Sequence, residues 1–547
     1  MIQGTWRRAC VATVLVLGLA ASAACSSSSD AADSATSGSK DEAVAATPCT
    51  PEGDEKPAKS LLRCSEHSIA FIETLYATGT GVAVRVDDQD YVLTNLHVVD
   101  PFDSADVSLG GVEDLGRLPV AGTDVAADLA LLGPIDDAGD AFEPVALGDP
   151  SPEKGDDVFL VGFPGTADVD EADLTITAGL VSRLRDADGW DQTYIQTDAV
   201  IGEGQSGGAL FGEGGELLGI SGLSYDPSFA LALEVQDVET AVDRIVAGDG
   251  DDVIEVPQTA EDEGTPAAGD GATEGTVSFV DDIETPTLFL PPSEEDRTLE
   301  LAVTGPEGRF AVSIVDSYTG EPLAVNAAGV ALTDELVASA VERSGMTAEE
   351  LGAAIPPVTP DVAAREVAPD VLSVELGAGE FAEVVLTIAP DATPGELSWT
   401  SSLPLWTLTE ELPVTTLELG EPAEGIVGGY QLGVPFEVEL EAGQEVELSA
   451  SSPQGDVALV IAEPGRRIDS FDVNLQLPDD ALTFLDDSDE GLYGLDVLEP
   501  FTADVAGTYQ VWMQNYEYTP LAYRVVVREP GSGDSGRDGA AKGDGDA

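Results

Sequence analysis

Basic side chains are scarce in this chain: Lys and Arg together number 22, only five of them Lys, against 104 Asp and Glu, and the formal net charge is -82. A field of that sign repels polyanions, so nucleic acid and anionic lipid are poor partners. Histidine is scarcer still, with two in 547 residues, and the four cysteines include no Cys-x-x-Cys pair. A zinc site built from imidazole and thiolate is not expected. Long apolar runs are missing as well, since the stretch from Val11 to Ala20 is too short to span a bilayer as a stable anchor. The acidic residues are spread along the whole chain and describe a solvated surface. One local group, Asp486, Asp487, Asp489 and Glu490, is a candidate calcium site.

What the chain does carry is concentrated between residues 79 and 210. Small residues at Gly79-Thr80-Gly81 open a strand, Val82 to Val86 alternates, Asp87 to Asp90 makes a turn, and Tyr91-Val92-Leu93 returns as a hairpin partner. His97 follows, so a base suited to neutral pH is expected beside a strand terminus rather than inside a helix. His67 stands at the entry to the strand Ile69 to Leu75 and reads as a surface or packing residue. Asp128 precedes the apolar Leu129-Ala130-Leu131-Leu132; the start of a buried strand would hold a carboxylate fixed against an imidazole, with Asp124 as the runner-up. In Gly204-Gln205-Ser206-Gly207-Gly208, glycines flank a serine and permit a tight turn. That turn lets the N–H groups of Gly204 and Ser206 converge as an oxyanion hole. The order His, Asp, Ser is that of the chymotrypsin triad.

Five stretches now support a resemblance: Thr94 to Val99, Asp128 to Leu131, Gly148-Asp149 with Val161 to Gly165, Gln196 to Ala199, and Gly204 to Gly208. Residues 66–247 resemble a trypsin-like serine protease of the Deg/HtrA type. The resemblance implies two six-stranded barrels with the site in the cleft between them, His97 and Asp128 from the first and Ser206 from the second. It also implies that the helical pattern Val235, Val238, Val242, Ile245 and Val246 closes the domain. Ser206 would attack a peptide carbonyl, His97 would move the proton, and Asp128 would orient His97, with no cofactor required. Val200, six residues before the serine, would lie at the base of the S1 pocket, and Ser221-Gly222-Leu223 would form the substrate strand. Neither brings a charge, so Val, Ala or Leu is expected at the cleaved position. Gly202-Glu203-Gly204-Gln205 departs from the family's Asn-Pro-Gly-Asn, and no PDZ-like pattern follows residue 250. A catalytically silent domain in a surface adhesion or scaffold lipoprotein is the alternative.

The first 24 residues read as a secretory signal, with Arg7 and Arg8 before the apolar stretch. Ser22-Ala23-Ala24-Cys25 resembles a bacterial lipoprotein site, so Cys25 is the expected lipidated residue, anchoring the protein to the extracytoplasmic face of the membrane. Simple cleavage with release is the other outcome. Residues 25–60 form a low-complexity tether. With Cys10 lost and Cys25 lipidated, Cys49 and Cys64 remain to form a disulfide; its loop of about fifteen residues would be worth roughly 3 kcal/mol, and two free thiols are the alternative. The Lys-poor, acid-rich composition resembles that of salt-adapted organisms, where screening removes self-repulsion.

The expected class is all-β: a two-barrel chymotrypsin-like protease domain over 61–250, an acidic linker over 251–274, and two β-sandwich domains. The first sandwich (275–412) carries a helical insertion at Thr333 to Ile355. The second (413–530) shows alternation at Phe436, Val438 and Leu440 and again at Val446 and Leu448. It also contains Val457 to Ile461 and Gly507 to Trp512, and is similar to bacterial pre-peptidase C-terminal domains. That resemblance implies a stabilising role or binding, of an envelope component or of protein substrate. Residues 531–547 are expected to be a disordered tail.

Overall fold

The computed structural model describes residues 56–530 apart from 166–171, 203, 259–270, 280–285, 333–337, 339–361, 469–481, 486–498 and short breaks elsewhere. The described residues are mostly strand, with few helices. Six strands close a first barrel: β1 (Ile69–Glu73), β2 (Thr78–Val86), β3 (Gln89–Thr94), β4 (Ser104–Leu109), β5 (Glu113–Asp124) and β6 (Leu129–Ile135), in the order β1-β2-β3-β6-β5-β4. A second barrel follows from β7 (Asp157–Gly162), β8 (Thr175–Ala187), β9 (Gln192–Thr197), β10 (Ala209–Gly212), β11 (Leu217–Asp226) and β12 (Phe229–Glu234), in the order β10-β11-β12-β9-β8-β7.

The β2–β3 hairpin pairs Val82 with Leu93 and Val86 with Gln89. Its turn is tighter than the expected Asp87 to Asp90: only Asp87 and Asp88 turn, both at positive φ (49° and 65°), which is the backbone a two-residue hairpin loop demands. The barrels are fused through one apolar core, where Ile69, Val84 and Leu131 meet Phe159, Phe211 and Leu233. Helix Val235–Ala247 completes it. Val235, Val238, Val242 and Ile245 recur at helical spacing and are buried, and Gly248 ends the helix at φ 78°, its N–H donating to the Ile245 carbonyl at 3.0 Å.

Beyond the barrels stand two further sets of sheets. In the first, Phe310–Asp316, Ala382–Ile388 and Thr287–Leu290 form one layer, and Ala272–Ser278, Arg297–Thr304 and Val371–Leu376 belong to the other. A 12-residue strand, Glu396–Thr407, runs through both: its start pairs with Ala272–Ser278 and Arg297–Thr304, its end with Thr287–Leu290. The two layers are thus one continuous nine-stranded sheet folded over a single core that includes Leu301, Ile314, Leu386 and Trp399. Residues 327–332 are helical, and most of the expected Thr333 to Ile355 insertion lies outside the described residues. In the last set, a five-stranded and a four-stranded sheet enclose Phe436, Val438, Leu448, Leu459 and Val511. The expected hairpin arms separate there, Gly433–Leu440 into one sheet and Glu445–Ser451 into the other.

Both sets pack on the first barrel. Phe102 and Val256 join Phe289, Leu408 and Tyr430 in one aromatic-rich cluster. The Tyr76 hydroxyl donates to Glu383 Oε1 at 2.6 Å, and Ala522 sits among the apolar side chains of the first barrel.

Candidate active site

His97 follows the end of β3, as the hairpin expectation requires, but it lies inside a one-turn helix, Leu96–Val99, where no helix was expected. Asn95 occupies the cap position with extended backbone (φ -75°, ψ 147°) yet makes no side-chain cap bond. Its amide is used elsewhere: Nδ2 donates to the Asp128 carbonyl at 2.8 Å, and Oδ1 accepts from the Gly207 N–H at 2.5 Å.

Asp128 immediately precedes β6 with φ at 52°, a left-handed backbone that costs a non-glycine residue roughly 1 kcal/mol. Its N–H donates to the Val125 carbonyl at 3.0 Å, and its own carbonyl also accepts from the Leu96 N–H at 3.0 Å. So held, its carboxylate faces the helix turn. Oδ1 accepts from the His97 backbone N–H at 3.1 Å, and Oδ2 lies 2.6 Å from His97 Nδ1. A carboxylate on Nδ1 keeps the proton there and leaves Nε2 as the basic nitrogen. The runner-up, Asp124, is committed elsewhere: its buried carboxylate pairs with Arg244 at 2.7 Å and accepts from the Ala127 N–H at 3.1 Å. Burial pushes its pKa up, with the Arg244 charge opposing.

Ser206 comes from the second barrel on a loop in which two glycines resist replacement. Gly204 and Gly207 have φ of 84° and 81°, and a Cβ on either would lie 2.2 Å from backbone atoms of Gly165 and Thr80 respectively. Thr80 organises this loop from the first barrel. Its N–H donates to the Ser206 carbonyl at 2.8 Å, and its Oγ1 donates to the Gly204 carbonyl at 3.0 Å and accepts from the Phe163 N–H at 3.1 Å. Asn95, two residues before His97, thus ties the residue after Ser206 to the helix turn, so the Ser206 loop and the imidazole turn share one hydrogen-bonded frame.

Residues 79–220 match the family model for a trypsin-like peptidase domain. Among known proteins, the serine protease Do-like HtrA of Lactobacillus helveticus is 32% identical over 185 residues, 31% of this chain and 43% of that protein. The serine endoprotease DegS of Escherichia coli (strain K12) is 32% identical over 204 residues, 34% of this chain and 54% of that protein. The chain thus spans about half the length of the curated relatives it matches. A solved serine endoprotease from Yersinia pestis is 25% identical with a TM-score of 0.29, covering 37% of this chain and 69% of that one.

The remaining expected residues of the trypsin-like domain are distributed unevenly. Ser221 is buried on β11; its carbonyl accepts from the Gly207 N–H at 3.0 Å, and its Oγ has no hydrogen-bond partner among the described residues. Gly222 follows at an irregularity in the β11–β12 register, where a Cβ would meet the Asn95 amide at 2.7 Å. Leu223 pairs with Leu231. Val200 is 61% exposed, an open position rather than the floor of a closed pocket, with its carbonyl accepting from Thr177 Oγ1 at 2.9 Å. Gln205 turns inward: its Oε1 accepts from the Gly202 N–H at 3.0 Å and its Nε2 donates to Thr175 Oγ1 at 2.9 Å. Glu203 lies outside the described residues, as do Cys25, Cys49 and the acidic group at 486–490, while Cys64 is disulfide-bonded. His67 is exposed.

Sequence inspection passed over Thr80 and Asn95, although both stand inside the quoted motifs. Asp100 was also missed. Partly buried three residues past His97, it has its pKa raised to about 7, by burial first and then by the Asp128 carboxylate, with His97 pulling it down.

Proposed function

We propose that this chain is a serine endopeptidase that hydrolyses polypeptides outside the cytoplasm, with its peptidase domain at 61–250. Ser206 Oγ attacks the scissile carbonyl as His97 Nε2 takes its proton, giving an acyl-enzyme that water resolves; His97 returns the proton to the leaving amine. Asp128 holds the tautomer and stabilises the imidazolium, and the N–H groups of Gly204 and Ser206 receive the oxyanion. The observation that supports this reading is the 2.6 Å contact between His97 Nδ1 and Asp128 Oδ2, held in the same frame as the Ser206 loop by Asn95. With no charged side chain among Ser221, Gly222 and Leu223, a small or medium apolar residue is proposed at the cleaved position.

The same reading places the protein on the outer face of the membrane through a lipid on Cys25, with the Cys49–Cys64 disulfide fastening the tether to the peptidase domain. Among the described residues no helix is long and apolar enough to cross a membrane. The sandwich regions at 275–412 and 413–530 are proposed to bind an envelope component or substrate.

Purified full-length protein in high salt is expected to cleave an unfolded protein substrate, and Ser206→Ala to abolish cleavage. Cleavage that persists in Ser206→Ala, or a folded wild type that cleaves nothing, would favour a silent domain in a surface scaffold.

A further inference from the structure

Asp128 depends on a short loop, Val125 to Asp128, and that loop is held from three directions. From the segment after the closing helix, Asp251 Oδ2 accepts from the Val125 N–H at 2.8 Å. From the second barrel, Gln192 Nε2 donates to the Ala126 carbonyl at 2.8 Å. The third support comes from the C-terminal sandwich, where Gln454 Nε2 donates to that same Ala126 carbonyl.

Gln454 is built for this contact. It is 4% exposed, and its Oε1 accepts from the Ala522 N–H at 2.9 Å and from the Ser452 hydroxyl at 3.2 Å. Because Ala522 offers only a donor, the amide oxygen must face it, which turns the NH2 group towards Ala126. Neighbouring contacts agree. The Tyr194 hydroxyl donates to the Pro453 carbonyl at 3.3 Å, and Ala522 packs among first-barrel residues that include Val125 and Ala126. On the other side of His97, Gly429 lies so close to Asp100 that a Cβ there would be 2.4 Å from Asp100 Oδ2. The sandwich therefore touches the chain on both sides of the imidazole–carboxylate pair.

We infer that the C-terminal sandwich is a working part of the active site, with Gln454 as a positioning residue that holds the Asp128 loop through the Ala126 carbonyl. The inference rests on the peptidase reading above. Gln454 touches no reacting atom; it acts by fixing a loop whose Asp128 has left-handed backbone that the local chain alone would not favour. Losing it lets the carboxylate drift from Nδ1. The imidazolium is then less stabilised, so the chemical step slows and the basic form of His97 persists to lower pH.

The test is the pH dependence of inactivation by a fluorophosphonate, with full-length wild type, Gln454→Met and Ser452→Ala compared. Gln454→Met keeps the volume and removes all three side-chain hydrogen bonds, the one to Ala126 and those from Ala522 and Ser452. Its maximal inactivation rate is expected to fall on the order of tenfold, with the probe's half-saturating concentration unchanged and the acid limb of the profile moved to lower pH. Ser452→Ala, which removes the hydroxyl that donates to Gln454 Oε1 and accepts from the Gln454 N–H, is expected to fall about two- to threefold in the same direction, and it carries the test if Gln454→Met does not fold. Folded variants with the wild-type rate and acid limb would overturn the inference, as would a change confined to half-saturation. A wild type that takes no probe would instead remove the peptidase reading itself.

Discussion

Replacing Asn95 by alanine should damage both halves of the site at once. The side chain is 3% exposed and makes two buried bonds, to the Asp128 carbonyl at 2.8 Å and from the Gly207 N–H at 2.5 Å. Neither backbone group is orphaned by the change: the Asp128 carbonyl keeps the Leu96 N–H, and the Gly207 N–H keeps the Ser221 carbonyl, each at 3.0 Å. The stability loss is therefore two net hydrogen bonds at about 1 kcal/mol each, plus roughly 1 kcal/mol for the void, or about 3 kcal/mol in all. Urea unfolding of the full-length protein measures it. The rate of fluorophosphonate labelling should fall further than stability explains, by about 100-fold under conditions where the variant stays folded, because the loops bearing Ser206 and His97 lose their direct tie. Asn95→Asp is a sharper probe. It can still accept from Gly207 but turns an oxygen towards the Asp128 carbonyl, so it should label no faster than the alanine variant. A folded Asn95→Ala that labels within twofold of wild type would refute the reasoning.

Other expectations follow from buried partners. Thr80→Val keeps shape but strips the partners from the Gly204 carbonyl and the Phe163 N–H; it should cost about 2 kcal/mol by chemical denaturation and slow labelling of Ser206. Arg244→Met leaves the buried Asp124 carboxylate uncompensated, and should destabilise by about 2 kcal/mol at neutral pH, given that Arg244 is half exposed, with the deficit shrinking in acid as Asp124 protonates. Glu383 is fully buried, and its pKa is pushed to about 7, chiefly by desolvation. A raised carboxyl pKa means that the native state holds the proton more tightly than the unfolded one, so stability falls as pH rises from about 4.5 to about 7. Glu383→Gln should match wild type near pH 5 and exceed it by roughly 3 kcal/mol at pH 8, as thermal melting at the two values would show. A difference that is the same at both values would contradict that assignment.

Much of the fold was legible because its signals are local. The Val82 to Leu93 hairpin announces itself by alternation around two aspartates, and the closing helix by Val235, Val238, Val242 and Ile245. Asp128 was preferred to Asp124 for its place before a buried strand, and it is Asp128 that meets His97 Nδ1 while Asp124 pairs with Arg244. The four-residue helix at His97 was not, since one turn is too short to show helical periodicity and its cap residue spends its amide on distant backbone. Thr80 and Asn95 escaped notice for the same reason: their partners are 124 and 112 residues away, as in the bonds to Gly204 and Gly207. The folded sheet of residues 272–407 was hidden because Glu396–Thr407 alternates like any strand, and nothing in that pattern says that its two ends serve different layers. The docking of the C-terminal sandwich depends on Gln454, one glutamine in a Ser-Pro-rich turn, and only the packed chain gives it a partner.

The central claim is that Ser206 is a nucleophile activated by His97. Intact-protein mass spectrometry after fluorophosphonate treatment in high salt tests it most directly, with peptide mapping to locate the adduct. One adduct on Ser206 in wild type, absent from Ser206→Ala and nearly absent from His97→Ala, is the expected result. A folded wild type that gains no mass, or an adduct on Ser206 that forms equally fast in His97→Ala, would contradict the account.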